Sequence, residues 1–388
     1  MAERSVLDVL TRRSAATIAD LACELAIPSS TAVGAVSRLF ERGLLYRREL
    51  EQVRRGRPSY QYGLRLARPL VAFQFDGTRL DGAIFGQAQA LLALETMHVP
   101  AVTHLSEAAA LLNELMGVLL SRASLRGADL LGAAVCINAI RIKGKTLSSS
   151  VLPWVDDTAE RVFTAALDLP VRLVGAPHLA AELALLEQAP GSMAYLHVGD
   201  GVSGHFCAQG KPYHGASDRA GELGHISVDQ TGPLCGCGRR GCLEALVSGP
   251  AIAQRLHAAA KDEQSPDWLK RAASHRSARV LVEQLWQAWE DGDAAARELM
   301  DPVLDRLGWG LGLLINILDP ELVIAGGYVL EHHEPWRDAM MQRARPWVLQ
   351  GDSWSASVAP SQATAEDLLR VIAARYAISL TAMEHAAR

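Results

Sequence analysis

The chain has 388 residues, of which 49% are hydrophobic and 21% charged, and its formal net charge is −5. This length allows two or three domains, each with its own core, and the composition is that of an ordinary globular protein. No apolar run approaches the ~20 residues of a membrane-spanning helix, and charges near the start argue against a secretory signal peptide. We therefore expect a cytoplasmic protein without a membrane span.

The charge is unevenly distributed along the chain. Residues 1–68 contain 12 arginines, no lysine and 7 acidic residues, a net charge of +5, whereas the remainder has 26 basic and 36 acidic residues, a net charge of −10. A basic N-terminal segment on an acidic body indicates a nucleic-acid partner for that segment alone. The alternative is a solvated basic surface that binds no partner.

The N-terminal segment has the pattern of a winged helix-turn-helix domain. Apolar residues at helical spacing predict helices over residues 5–13, 17–25 and 28–42, and two strands follow at residues 44–50 and 59–63. The two strands would form the wing. We place this domain over residues 1–66 and expect it to bind double-stranded DNA; the alternative is a winged helix that docks another protein.

The third of these helices is predicted to read DNA. Its buried stripe is assigned to Val33, Val36, Leu39 and Phe40. Its opposite face has short side chains that allow close approach to phosphates and to the major groove, and these are Ser29, Ser30, Thr31, Gly34, Ala35, Ser37 and Arg38. The wing loop adds Arg54, Arg55 and Arg57, whose guanidiniums suit phosphates or a narrow minor groove.

The pattern of strands and helices over residues 67–388 predicts a second domain, of the α/β class. Strands are expected at residues 70–75, 82–85, 90–97, 130–137, 193–198 and 322–325, and long helices at residues 106–123, 278–290 and 304–318. Strands that alternate with helices imply mostly parallel sheets. The predicted linker to the N-terminal domain is residues 65–69.

Four potential metal ligands are concentrated in one glycine-rich loop, and they are His225, Cys235, Cys237 and Cys242. One imidazole and three thiolates complete a tetrahedral zinc site with no position for a reacting water, so we predict a structural zinc ion. Glu222 and Glu244 flank the loop and would be held in place by the metal, which indicates a pocket for a polar ligand. The alternative is a loop with three free thiols.

The motif Glu-x-Gly-His followed by Cys-x-Cys-Gly-x-x-Gly-Cys-x-Glu, which runs from Glu222 to Glu244, resembles the signature of the ROK family (repressors, open reading frames and sugar kinases). The resemblance covers roughly residues 68–385 and implies a two-lobed, actin-like ATPase fold. It also implies that the His and the three Cys bind zinc, and that Glu222, His225 and Glu244 line a sugar site. Asn138 or His178 would replace sugar contacts that this chain lacks. ROK repressors have the same N-terminal order of helices and wing.

The chain departs from the motifs that kinases of this family use for phosphoryl transfer. Gln74 and Asp76 replace the Asp and the first Gly of the first phosphate loop, and Ser203 and His205 replace glycines of the second. Pro177 lies where the catalytic base is expected. Because a missing base costs a factor of ~10²–10⁴ in rate, these departures predict that the chain is not an enzyme.

Together these features predict a DNA-binding transcriptional regulator, specifically a repressor of carbohydrate-metabolism genes that senses a sugar or sugar-like effector in a non-catalytic body. One winged helix covers only one half-site, so we expect a homodimer or a tetramer on a palindromic operator. Three alternatives stay open: an ATP-dependent sugar kinase with a fused N-terminal module, a protein-docking module, and a regulator whose zinc loop is only a scaffold.

Overall fold

The computed structural model describes most of the chain. The described residues are 2–50, 59–76, 79–99, 102–137, 139–142, 146–149, 152, 154–175, 179, 181, 183–184, 191–209, 211–216, 219–330, 334–351 and 357–386. Several residues for which the sequence makes predictions lie outside the described residues, namely Arg54, Arg55, Arg57, Asn138, Pro177 and His178.

The N-terminal segment, which we call the head, contains helices and a small antiparallel sheet. Its elements are α1 (Ala2–Arg12), β1 (Ala16–Thr17), α2 (Ile18–Glu24), α3 (Ser29–Glu41), β2 (Leu45–Glu49) and β3 (Tyr60–Leu64). β3 lies between β1 and β2 in the sheet. Thr17 caps α2, because its hydroxyl accepts a hydrogen bond from the Asp20 amide at 3.1 Å and the Asp20 carboxylate accepts one from the Thr17 amide at 2.8 Å.

The buried stripe of α3 differs from the predicted one. The buried residues are Ala32, Ala35, Val36 and Leu39, whereas Val33 is 44% exposed. Val36 and Leu39 belong to the stripe as predicted, and Phe40 is half-buried against the same core, but Ala32 and Ala35 take part in the stripe instead of the larger Val33. Alanines fill it because small side chains let α3 lie close to its neighbours. Val33 was therefore wrongly placed inside the head, and Ala35 wrongly placed on its surface.

The first lobe of the body is an α/β unit. Its strands are β4 (Leu70–Asp76), β5 (Arg79–Phe85), β6 (Leu91–His98), β7 (Ala133–Ile137), the hairpin of β8 (Ile140–Ile142) and β9 (Thr146–Ser148), and β10 (Val171–Gly175). The main sheet has the order β10-β7-β4-β5-β6, with β10, β7 and β4 parallel and the last two strands antiparallel. Two helices, α4 (Leu105–Ala123) and α5 (Ala159–Leu167), pack on one face of this sheet.

The second lobe repeats this plan. Its strands are β11 (Ser192–Val198), β12 (Val202–Ala208), β13 (Lys211–Tyr213), β14 (Leu322–Gly326) and β15 (Ser357–Pro360), in the sheet order β13-β12-β11-β14-β15. Its helices are α6 (Glu244–Val247), α7 (Gly249–Ala259), α8 (Asp267–Ala272), α9 (Ala278–Glu290), α10 (Ala294–Leu318) and α11 (Glu334–Ala344). Neither α10, with 25 residues, nor any other helix in the described part of the chain is long and apolar enough to cross a membrane.

The last described helix, α12 (Ala365–Ala386), packs on both the first lobe and the head. Leu369 and Ile372 are fully buried against the second face of the first-lobe sheet, where they share a core with Leu66. Further along the same helix, Ala374 and Ile378 pack into the apolar core of the head. Leu66 of the predicted linker is therefore buried against this helix, and the head and the first lobe are joined through shared packing.

Replacing Ile372 by Ala tests this packing. We expect the free energy of unfolding to fall by about 2–5 kcal/mol, because the change leaves a cavity between α12 and the sheet. The matched control is Val118→Ala, since Val118 is 37% exposed on α4 and its truncation should change the stability by less than about 0.5 kcal/mol. Urea denaturation measures both variants, and equal effects would contradict the packing assigned to α12.

Candidate functional site

The His–Cys cluster, which consists of His225, Cys235, Cys237 and Cys242, brings the predicted metal ligands to one point. The ligand atoms of the four residues all lie within 4.8 Å of one another. His225 ends a 3₁₀ turn, Leu223–His225, and Cys242 precedes α6, while the other two cysteines lie on the loop between them. Such a set of nitrogen and sulfur donors could hold a metal ion.

The backbone folds this loop tightly. The Cys235 amide donates to the Arg239 carbonyl at 2.8 Å, and the Val228 amide donates to the Gly241 carbonyl at 2.7 Å. Gly238 and Gly241 have φ angles of +86° and +63°, a region that L side chains rarely adopt. A Cβ at Gly241 would lie only 1.4 Å from the Asp229 carbonyl oxygen, so no other residue fits there.

The three thiols differ in acidity. Burial raises the pKa of Cys235 and of Cys242 above the usual value for a thiol. Burial also raises the pKa of Cys237, but hydrogen bonds from the backbone and side chain of Arg239 outweigh it and lower this pKa to about 7. Cys237 is exposed whereas the other two are buried, so the loop presents one readily ionised thiol at its surface.

Two glutamates lie against the His–Cys cluster. Glu244 is buried, and its Oε2 accepts a hydrogen bond from the Val202 amide at 3.1 Å, while its Oε1 accepts one from the Cys235 thiol at 3.6 Å. Glu222 lies on the other side of His225, with its Oε2 at 3.7 Å from Nε2. Burial raises the pKa of Glu222, and the opposing effect of His225 is smaller. The structure thus brings together Glu222, His225 and Glu244, as predicted.

The two nitrogens of His225 face different partners. Nδ1 lies 3.6 Å from the Cys235 sulfur, whereas Nε2 faces Glu222. An imidazole that binds a metal through one nitrogen commonly donates its other N–H to a carboxylate, which orients the ring and raises its basicity. In this arrangement His225 would link a metal ion bound at Nδ1 to the carboxylate of Glu222.

Sequence reasoning missed several contacts beside this site. The Val202 amide, which binds Glu244, comes from β12, 42 residues away. Asp200, which lies between Gly199 and Gly201 in the second phosphate loop, is buried and accepts a hydrogen bond from the hydroxyl of Tyr328. The guanidinium of Arg279 lies 4.6 Å from the centre of the Tyr328 ring. No local signal predicts contacts over such separations in sequence.

A second group of predicted site residues lies on the head. All the described ones are exposed on α3, and they are Ser29, Ser30, Thr31, Ser37 and Arg38. Glu3 of α1 accepts hydrogen bonds from Arg38 at 2.6 Å and from Arg42 at 2.9 Å. The hydrogen bond from Arg38 is the main reason why the pKa of Glu3 is lowered. This bridge between α1 and α3 was not predicted from the sequence.

Comparison with known proteins identifies the family. The profile of the ROK family matches residues 72–374, and the chain belongs to this family. Its fold is the α/β, actin-like fold of ROK sugar kinases. The family contains both kinases and regulators, so membership does not by itself define an activity.

Two curated proteins with similar sequences are named as sugar kinases. A glucokinase of Thermotoga maritima is 37% identical over 132 residues, and an N-acetylmannosamine kinase of Vibrio cholerae is 34% identical over 153 residues. These matches cover 34% and 39% of this chain. The chain spans only 41% and 53% of the lengths of these two relatives.

Two solved structures resemble this one. A ROK family transcriptional regulator, a homolog of the E. coli MLC protein, has a TM-score of 0.68 at 18% identity, over 97% of this chain and 95% of that one. A ROK family glucokinase from Streptomyces griseus, in complex with glucose and AMPPNP, has a TM-score of 0.59 at 21% identity, over 79% of this chain and 98% of that one.

The prediction that the chain is not an enzyme is wrong in the light of these relatives. Curated proteins at 34–37% identity are named as sugar kinases, which points to that activity instead. The prediction rested on altered phosphate-loop motifs and on Pro177 at the expected position of the base, a turn that lies outside the described residues. Phosphate groups are bound in large part by backbone amides, which such substitutions leave in place.

Replacing Gly241 by Ala tests whether the loop geometry holds a metal. We expect about one metal ion per wild-type chain and release of that ion in the variant, because the new Cβ would displace the backbone between Cys237 and Cys242. Gly238→Ala is the matched control, since its φ is also positive but no atom lies within 4 Å of the added carbon. Elemental analysis after gel filtration measures the metal; full occupancy in Gly241→Ala would contradict the geometry.

Proposed function

We propose that this ROK protein is a DNA-binding transcriptional regulator whose body binds a sugar. The presence of the head supports this function most strongly. The likeness to a ROK transcriptional regulator extends over the head as well as the body, whereas the ROK kinase structure leaves about a fifth of this chain unmatched. A regulator needs such an additional domain, and phosphoryl transfer does not.

The head would bind double-stranded DNA as a winged helix-turn-helix. In this fold the second helix of the motif enters the major groove, which assigns that role to α3 with its exposed serines and Arg38. β2 and β3 would form the wing, and Arg54, Arg55 and Arg57 belong to the sequence that connects them. Arg47 stacks over the rings of Phe40 and Tyr60, at 5.3 Å and 5.0 Å, and would fix the base of the wing against α3.

The metal of the His–Cys cluster would be zinc with a structural role. Three thiolates and an imidazole are the donors that zinc prefers, and all four of its positions would be taken by the protein. Arg239, which hydrogen-bonds Cys237, would offset part of the surplus negative charge. The zinc would then hold Glu222 and Glu244 at the spacing that a ligand requires.

The effector would be a sugar or a sugar-like molecule bound beside the cluster. Carboxylates accept hydrogen bonds from sugar hydroxyls, and Glu222, His225 and Glu244 provide three polar groups within one small volume. Asn138 is proposed as a fourth contact on the basis of its position in the sequence. The relatives act on glucose and on N-acetylmannosamine by their names, so these two sugars are the first to test.

The regulator would act as a homodimer or tetramer on a palindromic operator. Large apolar side chains are exposed on the second lobe near the end of α10, where Ile317, Trp347 and Leu349 are 66%, 54% and 84% exposed. The Asn316 side chain donates to the Trp347 carbonyl at 2.6 Å and accepts from the Leu349 amide at 2.8 Å, which ties this segment to the end of α10. A self-complementary contact there would pair two heads for two half-sites.

Sugar kinase activity is the second candidate function, and the named activities of the curated relatives favour it. It would use the same sugar site and does not require the head. Coupled assay of ATP turnover with glucose and with N-acetylmannosamine decides this point. Sugar-dependent turnover of about 1 s⁻¹ or more, ordinary for kinases, would establish the activity.

DNA binding is tested by removing charge from the wing. We expect Arg55→Ala/Arg57→Ala to weaken binding to all sequences and to reduce the slope of log affinity against log salt by about 0.9 for each phosphate that is no longer neutralised. Arg126→Ala/Arg276→Ala is the control, because both arginines are exposed on the body. Fluorescence anisotropy at several salt concentrations measures these slopes. An unchanged slope in the wing variant would favour a head that docks protein.

Sugar binding is tested at Glu222. We expect a sugar of the panel to raise the melting temperature of the wild-type protein, and Glu222→Gln to weaken that binding roughly 10- to 100-fold, because a hydrogen bond to a charged group contributes about 1.5–3 kcal/mol. Glu298→Gln, an exposed glutamate on α10, should bind as the wild type does. Equal affinity in Glu222→Gln and the control would remove Glu222 from the site.

A further inference from the structure

Val33 is an apolar side chain on an otherwise polar surface. It is 44% exposed on α3, while Val36, one turn further on, is 1% exposed. Its neighbours at helical spacing on the exposed side are Ser29, Ser30 and Ser37, whose short side chains do not reach past a valine. The two methyl groups of Val33 therefore project from this part of α3.

Basic groups border this apolar spot. A Cβ at Gly34 would lie 3.4 Å from Nη1 of Arg38, so the guanidinium folds back along the helix toward the turn that contains Val33. Glu3 holds the same guanidinium and that of Arg42 by hydrogen bonds at 2.6 Å and 2.9 Å. The surface thus has one aliphatic side chain among hydroxyls, with fixed cations beside it.

We propose that Val33 determines sequence specificity by contacting the C5 methyl group of a thymine in the major groove. This inference rests on the proposed DNA binding of the head. Thymine alone presents a methyl group in the major groove, and it is read by apolar side chains. Val33 is the fifth residue of α3, within the N-terminal half that contacts base edges in helix-turn-helix proteins. One valine among serines is too small an apolar area for a protein-docking surface.

The test uses thymine-to-uracil substitution, which removes only the methyl group and keeps the base pairing. Wild-type protein first selects its preferred site from a pool of random double-stranded DNA, and each thymine of that site is then replaced in turn. We expect one thymine in each half-site at which uracil weakens wild-type binding about fourfold, the effect of removing one buried methyl group.

Val33→Ala should bind the thymine and uracil sites with equal affinity, because its shorter side chain does not reach the thymine methyl group. Val33→Thr retains one methyl group and should keep the preference for thymine. The matched control is Val118→Ala, a similarly exposed valine on α4 of the body, which should discriminate as the wild type does. Unchanged melting temperatures would show that all the variants are folded.

The outcomes separate the two proposals. If the wild type binds no DNA above background, DNA binding by the head is overturned and the role of Val33 with it. If the wild type selects a site but uracil has no effect, or Val33→Ala still prefers thymine, only the role of Val33 is overturned. Disappearance of the thymine preference in Val33→Ala but not in Val118→Ala supports it.

Discussion

The convergence of four side chains in the His–Cys cluster is the constraint on which the candidate site depends. The loop between the 3₁₀ turn and α6 has little regular secondary structure, and its backbone hydrogen bonds and two glycines at positive φ bring the four side chains together. Glu222 and Glu244 lie at the two ends of this loop, so their separation is set by the cluster between them. A metal ion bound by the cluster would hold this glycine-rich loop and its two carboxylates in place.

The sequence predicts those parts of the molecule that depend on local spacing. The members of the His–Cys cluster could be expected to lie together because Cys-x-Cys and Cys-x4-Cys are closely spaced, and the strands of the body could be predicted because they are short apolar runs. The glutamate pair was also identified, and the structure places both its members beside His225. In each case the information lies in a short stretch of sequence.

Features that depend on distant partners could not be predicted. Ala32 and Val33 are adjacent and both apolar, and only the packing of α3 on the rest of the head decides that the alanine is buried. The hydrogen bond between Tyr328 and Asp200 joins residues 128 positions apart. The prediction that the chain is not an enzyme failed for a related reason. Single motif positions were taken as decisive, although binding to phosphates depends on the conformation of whole loops.

The packing of α12 has a consequence for how the chain is made and how its parts can be exchanged. Ala374 and Ile378 complete an apolar core whose other members belong to the head. During synthesis the N-terminal core therefore lacks these two side chains until more than 300 further residues have left the ribosome. A chimera that exchanges heads between two such proteins would have to exchange the matching turns of the C-terminal helix as well, because both ends of the chain form one packed unit.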